Sequence, residues 1–269
     1  MTILSTQGIS QYYELHGNPA NPPVLLVSGL GGTGKSWDTQ IERFAAEHYV
    51  VVPDQRGTGQ STRTGEGHST VQLATDIASL IEHLALGPAH VVGASTGAAI
   101  AQYLALNHPH TVHTVTLVAS FARFDAFMRL AFDARRKMAA EWDRQALLAA
   151  YSLFLFSPKY TREQPDRVKA WTDRAIAQPT QPLDQEISLK RIDMIGAHDA
   201  LSRLGDVRQP TLVICGDNDF CTPLPLSQEI AAAIPGAELV VVPDCGHLIE
   251  YEKEDDFFEI VAGFIKRHC

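Results

Sequence analysis

Short apolar runs recur along this chain, separated by longer stretches of helical character. Val24-Leu25-Leu26-Val27, Tyr49-Val50-Val51-Val52, His90-Val91-Val92, Val115-Thr116-Leu117-Val118, Thr211-Leu212-Val213-Ile214 and Glu238-Leu239-Val240-Val241-Val242 are nearly continuous and rich in β-branched residues. Runs of that kind suit strands covered on both faces, as in a parallel sheet. Ser36 to His48, Thr70 to Leu86, Ala98 to His108, Leu226 to Ile234 and Asp255 to His268 read as the helices between them. Alternating strand and helix predicts right-handed crossovers and a doubly wound α/β sheet, mostly parallel, with helices on both faces. Ile9 to His16 instead alternates residue by residue and ends at Gly17-Asn18-Pro19. That pattern predicts an exposed edge strand and a turn.

The alternation lapses from residue 121 to about 206. Four helical stretches are predicted there (Phe124 to Trp142, Gln145 to Phe156, Pro165 to Ala177, Pro182 to Ile195), broken at Ser157-Pro158 and Gln178-Pro179. The expected organisation is therefore a core of residues 1–120 and 207–269 with an inserted helical lid, 121–206. The lid is joined to the core at both ends and is not expected to fold alone.

At 269 residues and 45% hydrophobic, the chain can bury a substantial single core. Its net charge of −9 argues against nucleic acid as a partner. The basic clusters Arg135-Arg136-Lys137 and Lys266-Arg267-His268 read as solvated helix faces. No apolar stretch approaches membrane-spanning length and no leader pattern opens the chain, so a cytoplasmic protein with reduced thiols is expected. Cys215, Cys221, Cys245 and Cys269 lack metal-ligand spacing. Cys221 and Cys245 flank the candidate site residues, and their default state is buried and unpaired. Trp37, Trp142, Trp171 and Leu153-Phe154-Leu155-Phe156 are expected to pack.

The candidate chemistry centres on Gly93-Ala94-Ser95-Thr96-Gly97, between an apolar run and a helix-forming run. A Gly-x-Ser-x-Gly turn from strand to helix is sharp, lifts the serine above the sheet, and leaves helix-start amides free to stabilise an oxyanion. Two later strand ends supply Cys215-Gly216-Asp217-Asn218-Asp219 and Cys245-Gly246-His247. Strand carboxyl ends are where open α/β sheets bind ligands. The order Ser95, Asp219, His247 matches a nucleophile, an acid and a base; Asp217 is the rival acid. Ser28-Gly29-Leu30-Gly31-Gly32 predicts a second oxyanion donor, so the Leu30 and Thr96 amides are the expected pair.

Another reading occupies the same ground. Gly29-Leu30-Gly31-Gly32-Thr33-Gly34-Lys35-Ser36 matches the phosphate-loop pattern G-x-x-x-x-G-K-[ST], and Asp54 ends the next strand as a magnesium carboxylate would. Against it stand the elbow serine and the late Gly-His. Asp54 also opens the glycine-punctuated loop Asp54 to Ser61, which could fold back over the sheet edge.

The elbow, the Ser-Gly-Leu-Gly-Gly turn, Asp54-Gln55-Arg56-Gly57-Thr58-Gly59, Asp219 with Pro223, and Cys245-Gly246-His247 together resemble the α/β-hydrolase family over nearly the whole chain. The tracts Val24 to Ser61, Ser120 to Phe127 and Leu153 to Pro158 are similar to the aminoacrylate hydrolases of pyrimidine breakdown; the 3-oxoadipate enol-lactonases look like the next relatives. The resemblance implies the α/β-hydrolase fold, a triad of Ser95, Asp219 and His247, and oxyanion donors at Leu30 and Thr96. Ser28 stands where the family usually has histidine, and Ala94 precedes the nucleophile, so the substrate carries over poorly. Serine at 95 disfavours dehalogenase and epoxide-hydrolase chemistry.

The expected activity is cleavage of a small ester, lactone or amide-like substrate (enamine or carbamate) through an acyl-enzyme, with no cofactor and no metal. Carbon–carbon hydrolysis of ring-fission products and a receptor-like, slowly turning-over ligand binder stay open. Phe121 is expected to line the pocket. Arg56, Arg123 and Arg191 are candidates for gripping a substrate carboxylate, with surface ion pairs as the bland alternative. The expected partner is a small-molecule substrate, and a homodimer is left open.

Overall fold

The computed structural model describes residues 2–269. In chain order its elements are β1 (Thr2–Thr6), β2 (Ile9–His16), β3 (Pro23–Val27), α1 (Ile41–Ala45), β4 (Tyr49–Pro53), α2 (Thr70–His83), β5 (Ala89–Ala94), α3 (Thr96–Asn107) and β6 (Val112–Val118). Then come α4 (Ala126–Glu141), α5 (Arg144–Leu155), α6 (Pro158–Glu163), α7 (Pro165–Ala177), α8 (Asp184–Gly196), β7 (Thr211–Gly216), α9 (Leu224–Ala233), β8 (Glu238–Val242), α10 (Ile249–Glu252) and α11 (Glu254–Arg267). One eight-stranded sheet runs β1-β2-β4-β3-β5-β6-β7-β8. The strands from β3 onward pair in parallel, and β1 and β2 run antiparallel at one side. The carboxyl ends of β3 to β8 therefore share one edge.

Successive residues of a strand point to opposite faces, and here both faces are apolar and covered. Leu25 and Val27 pack with Leu73 and Ile77 of α2 and Ile100 and Leu104 of α3. Val24 and Leu26 pack with Phe44 of α1 and Phe257 and Val261 of α11. Full burial of each such side chain contributes about 1.5–3 kcal/mol. The start of α2 is fixed by Ser69, whose hydroxyl accepts a bond from the Gln72 amide (3.0 Å).

Several expectations are corrected. β2 is not an edge: β1 pairs with its outer side and β4 with its inner. β8 is not buried on both faces: it closes the sheet at the other edge, with Leu239 and Val241 36% and 40% exposed. Ser36 to His48 is not one helix but a 3-10 turn, Gly34–Trp37, followed by the short α1. Between β6 and β7 lie five α-helices where four stretches were expected. The additional one, α6, begins at Pro158 because proline is accommodated in a first helical turn, and Ser157 caps it by accepting from the Tyr160 amide (3.0 Å). Trp37 is buried as expected, whereas Trp142 is 47% exposed. Leu153, 72% exposed, likewise leaves the packed part of its run to Phe156. Among the described residues no helix is long and apolar enough to cross a membrane.

Two buried imidazoles tie the fold to pH. His198 lies between Thr70 (Nδ1 to Oγ1, 3.0 Å) and Gln102 (Nε2 to Oε1, 3.2 Å), and burial holds it down at about 4. His90 is likewise pushed to about 4, by burial first and then by His113, His48 and His268. Both are depressed below the usual 6.5, so the stability that neutral imidazole contributes is complete above pH 6.5 and is lost as pH falls toward 4. Glu250 opposes this, since burial raises it to about 7 and its contribution fades as pH rises through that value. Comparing variants separates the two signs. The drop in unfolding free energy between pH 7.5 and pH 4.5 should be smaller in His198→Gln than in the native chain by about 2–3 kcal/mol. Denaturant titrations at fixed ionic strength measure it; equal drops would mean that His198 does not set the acid limit.

Candidate active site

Ser95 sits at the carboxyl end of β5 with φ 55° and ψ −119°, outside the ordinary regions for a non-glycine residue. Such a conformation stores about 1–3 kcal/mol and persists only where its surroundings enforce it. Its amide donates to Val118 of β6 (2.8 Å), and its carbonyl accepts from the Ala98 and Ala99 amides (3.0 and 3.2 Å) and the Ser120 hydroxyl (3.1 Å). The flanking glycines are required by space. A Cβ on Gly97 would lie 2.1 Å from the Val27 carbonyl oxygen, and one on Gly93 would lie 2.5 Å from that of Gly97. Without them α3 could not press against the end of β3. Ser95 stays half-buried, and among the described residues its Oγ forms no hydrogen bond. The Thr96 and Gly97 amides precede the first one that closes onto the helix, that of Ala98, so as helix-start donors they have no partner within the helix.

The turn after β3 lies against Ser95: a Cβ on Gly29 would be 3.3 Å from Ser95 Cβ and 3.8 Å from its Oγ. The Gly29 carbonyl accepts from the Gly32 amide (3.0 Å) and faces Arg191 Nη2 (3.5 Å). In a trans peptide the N–H opposes the C=O, so the Leu30 amide is turned away from Arg191. Ser28 closes the turn by donating to the Thr33 carbonyl (2.7 Å).

Asp219 and His247 come from the loops after β7 and β8. Those loops meet backbone to backbone, because Gly216 has no Cβ to strike the Cys245 carbonyl oxygen, which would lie 2.2 Å away. His247 Nδ1 lies 2.8 Å from Asp219 Oδ2. The other carboxylate oxygen accepts from the Cys221 and Thr222 amides (2.7 and 2.9 Å), and Thr222 Oγ1 donates to Oδ2 (2.8 Å). Both residues are 5% exposed. Asp217 is excluded as the acid: it is exposed, and its Oδ1 accepts from Asn218 Nδ2 (2.7 Å) and the Cys245 amide (3.3 Å).

Two partners of this pair were not anticipated from the sequence. Thr222 could have been found from its place three residues after Asp219. Glu252 fixes the histidine loop to the start of α6: Oε2 accepts from the Gly246 amide (3.2 Å) and the Ser157 hydroxyl (2.8 Å), and Oε1 from the Ser157 amide (2.7 Å). The His247 amide itself donates to Leu155 at the end of α5 (2.9 Å).

Phe121, expected to line the pocket, lies in the interior. It has no exposed surface, packs beside Met128, Phe132 and Leu30, and stands edge-on to His198 at 5.2 Å. Its ring therefore backs the site. Arg56 forms a two-bond pair with Asp76 (2.9 and 2.8 Å) inside the protein, and Arg123 pairs with Glu229 at the surface (2.7 Å). Arg191 is fully buried and donates to the Leu30 carbonyl (2.8 Å) and to Gln55 Oε1 (2.5 Å). None of these three offers a free guanidinium. Cys215, Cys221 and Cys245 are buried free thiols.

The phosphate-loop reading fails on geometry. Asp54 accepts from the Gly34 and Gln60 amides (both 2.8 Å), which commits its carboxylate to closing the two loops on each other. The loop closes on itself, with Ser61 Oγ donating to the Asp54 carbonyl (2.8 Å), and lies against β2, where the Tyr12 amide donates to Ser61 Oγ (2.9 Å). The helix that should follow the glycines is the four-residue turn Gly34–Trp37. Among the described residues no three His, Cys, Asp or Glu side chains are grouped to hold a metal.

Comparison with known proteins accords with this geometry. The profile of the alpha/beta hydrolase fold family matches residues 22–254. The chain is 34% identical over 255 residues to a protein of Azorhizobium caulinodans named "Putative carbamate hydrolase RutD", covering 94% of each. In fold it is similar to MGS-M2, an alpha/beta hydrolase enzyme from a deep-sea metagenome library (TM-score 0.92, 24% identity, 98% and 97% of the two chains). It is also similar in fold to the enol-lactonase of Burkholderia xenovorans LB400 (TM-score 0.88, 24% identity, 98% and 100%). A strained elbow serine, a buried Asp–His pair at the same sheet edge and a family match over most of the sequence lead to one conclusion: the chain belongs to the α/β-hydrolase family and is a hydrolase.

Proposed function

We propose that this protein is a serine hydrolase that cleaves a small ester, lactone or amide-like (enamine or carbamate) substrate through an acyl-enzyme, beneath the lid formed by the helical segment between β6 and β7. The observation that carries the reading is the 2.8 Å contact of His247 Nδ1 with Asp219 Oδ2, on the edge that presents Ser95. With Nδ1–H donated to the carboxylate, Nε2 holds a lone pair and takes the Ser95 proton as Oγ attacks the carbonyl carbon. The carbonyl π electrons move to oxygen, where the Leu30 and Thr96 amides stabilise the charge. His247 then returns the proton to the leaving group. A water, deprotonated by the same imidazole, releases the acid and restores the serine hydroxyl.

The similarity to a carbamate-hydrolase-named relative and the fold likeness to an enol-lactonase favour a small polar substrate. A phosphonofluoridate should label Ser95 stoichiometrically, with the adduct located by peptide mass spectrometry and abolished in Ser95→Ala. Adduct on another residue, with Ser95 unmodified in a fully inhibited protein, would overturn the assignment. Multiple turnover on a panel of enol-lactones, carbamates, enamines and simple esters then identifies the bond cleaved.

A further inference from the structure

Two buried charges of opposite sign stand on either side of Cys221. Arg135, on α4, is 5% exposed, and among the described residues no carboxylate pairs with it. Its Nη1 donates to Cys221 Sγ (3.0 Å), and burial pushes that thiol up to about 11, so the acceptor is a neutral sulfur. Asp219, also 5% exposed, takes its bonds from the Cys221 and Thr222 amides at Oδ1 and from the Thr222 hydroxyl and the imidazole at Oδ2. Removing an ion from water is costly unless an opposite charge lies near it. One residue bridges the two ions here: Cys221 bonds Arg135 through its sulfur and Asp219 through its amide (2.7 Å). Both charges act on its thiol, Arg135 lowering it and Asp219 raising it.

The arginine is held firmly where it is. Its guanidinium lies over Phe132 and Tyr151 at 4.6 Å, with Phe154 at 5.8 Å, and its carbonyl accepts from the Tyr151 hydroxyl (3.4 Å). Aromatic faces compensate part of a cation's charge but carry no net negative charge of their own. α4 belongs to the inserted helices and Asp219 to the loop after β7, so this contact ties the insertion to the acid beside His247. The other ionisable groups near the Asp219–His247 pair are Asp217, the Cys215 and Cys245 thiols, Glu250 and Glu252 of α10, and Lys253 after it. Acids outnumber cations there, which makes the placement of Arg135 count.

We propose that Arg135 is a positioning residue for the triad: through Cys221 it fixes the Asp219 loop from the inserted helices, and its charge offsets that of the carboxylate, so that the imidazole is a weaker base than Asp219 alone would make it. The proposal rests on the serine-hydrolase reading above and adds a determinant of the pH range in which His247 works. Protonating the imidazole adds a positive charge, which a nearby guanidinium disfavours and the surrounding acids favour. Without Arg135 the idle, protonated form should therefore persist to higher pH.

The test is the pH dependence of kcat/KM for p-nitrophenyl acetate, whose acid side reports the base of the free enzyme. Arg135→Met is the first variant, because methionine packs well among aromatic rings and a buried ion can often be replaced by an apolar residue of similar volume without loss of the fold. Its acid midpoint should rise by about 0.5–1 pH unit, while the plateau above it falls by less than about tenfold. Arg135→Gln, uncharged but still a donor, should shift the midpoint in the same direction and gives a second reading should the methionine variant fold poorly. Arg135→Lys, which keeps the charge without the fork, should stay within about 0.2 unit of the native midpoint. An unmoved midpoint in the uncharged variants would make Arg135 a packing residue, whatever happens to the plateau. A lysine midpoint displaced as far as that of methionine would assign the effect to shape rather than charge; either outcome overturns the proposal. Failure of the triad itself looks different: acetate turnover would survive in Ser95→Ala.

Discussion

Ser95→Ala should reduce kcat for p-nitrophenyl acetate by at least about 10⁴-fold while the fold is retained, because the elbow's other hydroxyl, Thr96 Oγ1, is buried. The loss is not expected to reach the uncatalysed rate, since the proposed oxyanion donors, the Leu30 and Thr96 amides, are backbone groups that the substitution leaves in place. Stability should hardly change. The backbone bonds that fix the elbow come from the Ser95 amide and carbonyl, which alanine keeps, and the half-buried hydroxyl makes no bond that would be broken. Unfolding midpoints within a few degrees of the native chain, together with activity reduced to background, are the joint expectation. Residual turnover above a tenth of the native rate would mean that another residue attacks.

Asp219→Asn should lower kcat by about 10⁴-fold, and the geometry says why the change is severe. The Cys221 and Thr222 amides both donate to Oδ1, so the asparagine oxygen must take that position and its NH₂ must take the position of Oδ2. There it points at His247 Nδ1, which sits 2.8 Å away and has to become an acceptor. The imidazole proton is then driven to Nε2, the atom that must be free to receive the serine proton. Asp217→Asn supplies the contrast: its side chain is exposed and does not touch the imidazole, so its kcat/KM should stay within about threefold. Steady-state kinetics on the two variants decide between the acids; equal effects would remove Asp219 from the mechanism.

Much of this was legible in the sequence because the signals are local and redundant. Both-face burial left its mark in continuous Val and Leu runs from Val24 to Val118, and the elbow left its mark in two glycines for which no Cβ fits. What was missed depends on partners distant in the chain. Thr2–Thr6 is mostly polar, with Leu4 its one buried residue, and only pairing with β2 makes it a strand. Glu238–Val242 reads as interior from its valines, but no strand follows to cover its far side. Arg135 was hidden inside a basic run that looked like a solvated face. Successive helical residues point about 100° apart, so Arg136 reaches Asp193 at the surface while Arg135 turns inward. The charge of such a run says nothing about which member is buried.

The grip of Arg191 on the Gly29 and Leu30 carbonyls, the first of which shares a peptide plane with the Leu30 amide, has a consequence for engineering. That arginine belongs to α8, so a chimera carrying the inserted helices of another hydrolase would exchange more than those helices: it would remove the group that holds the turn carrying the proposed oxyanion amide. Grafts that retain Arg191 and Gln55 together should keep that amide in place, whereas grafts chosen for shape alone would misalign chemistry located on an untouched strand end.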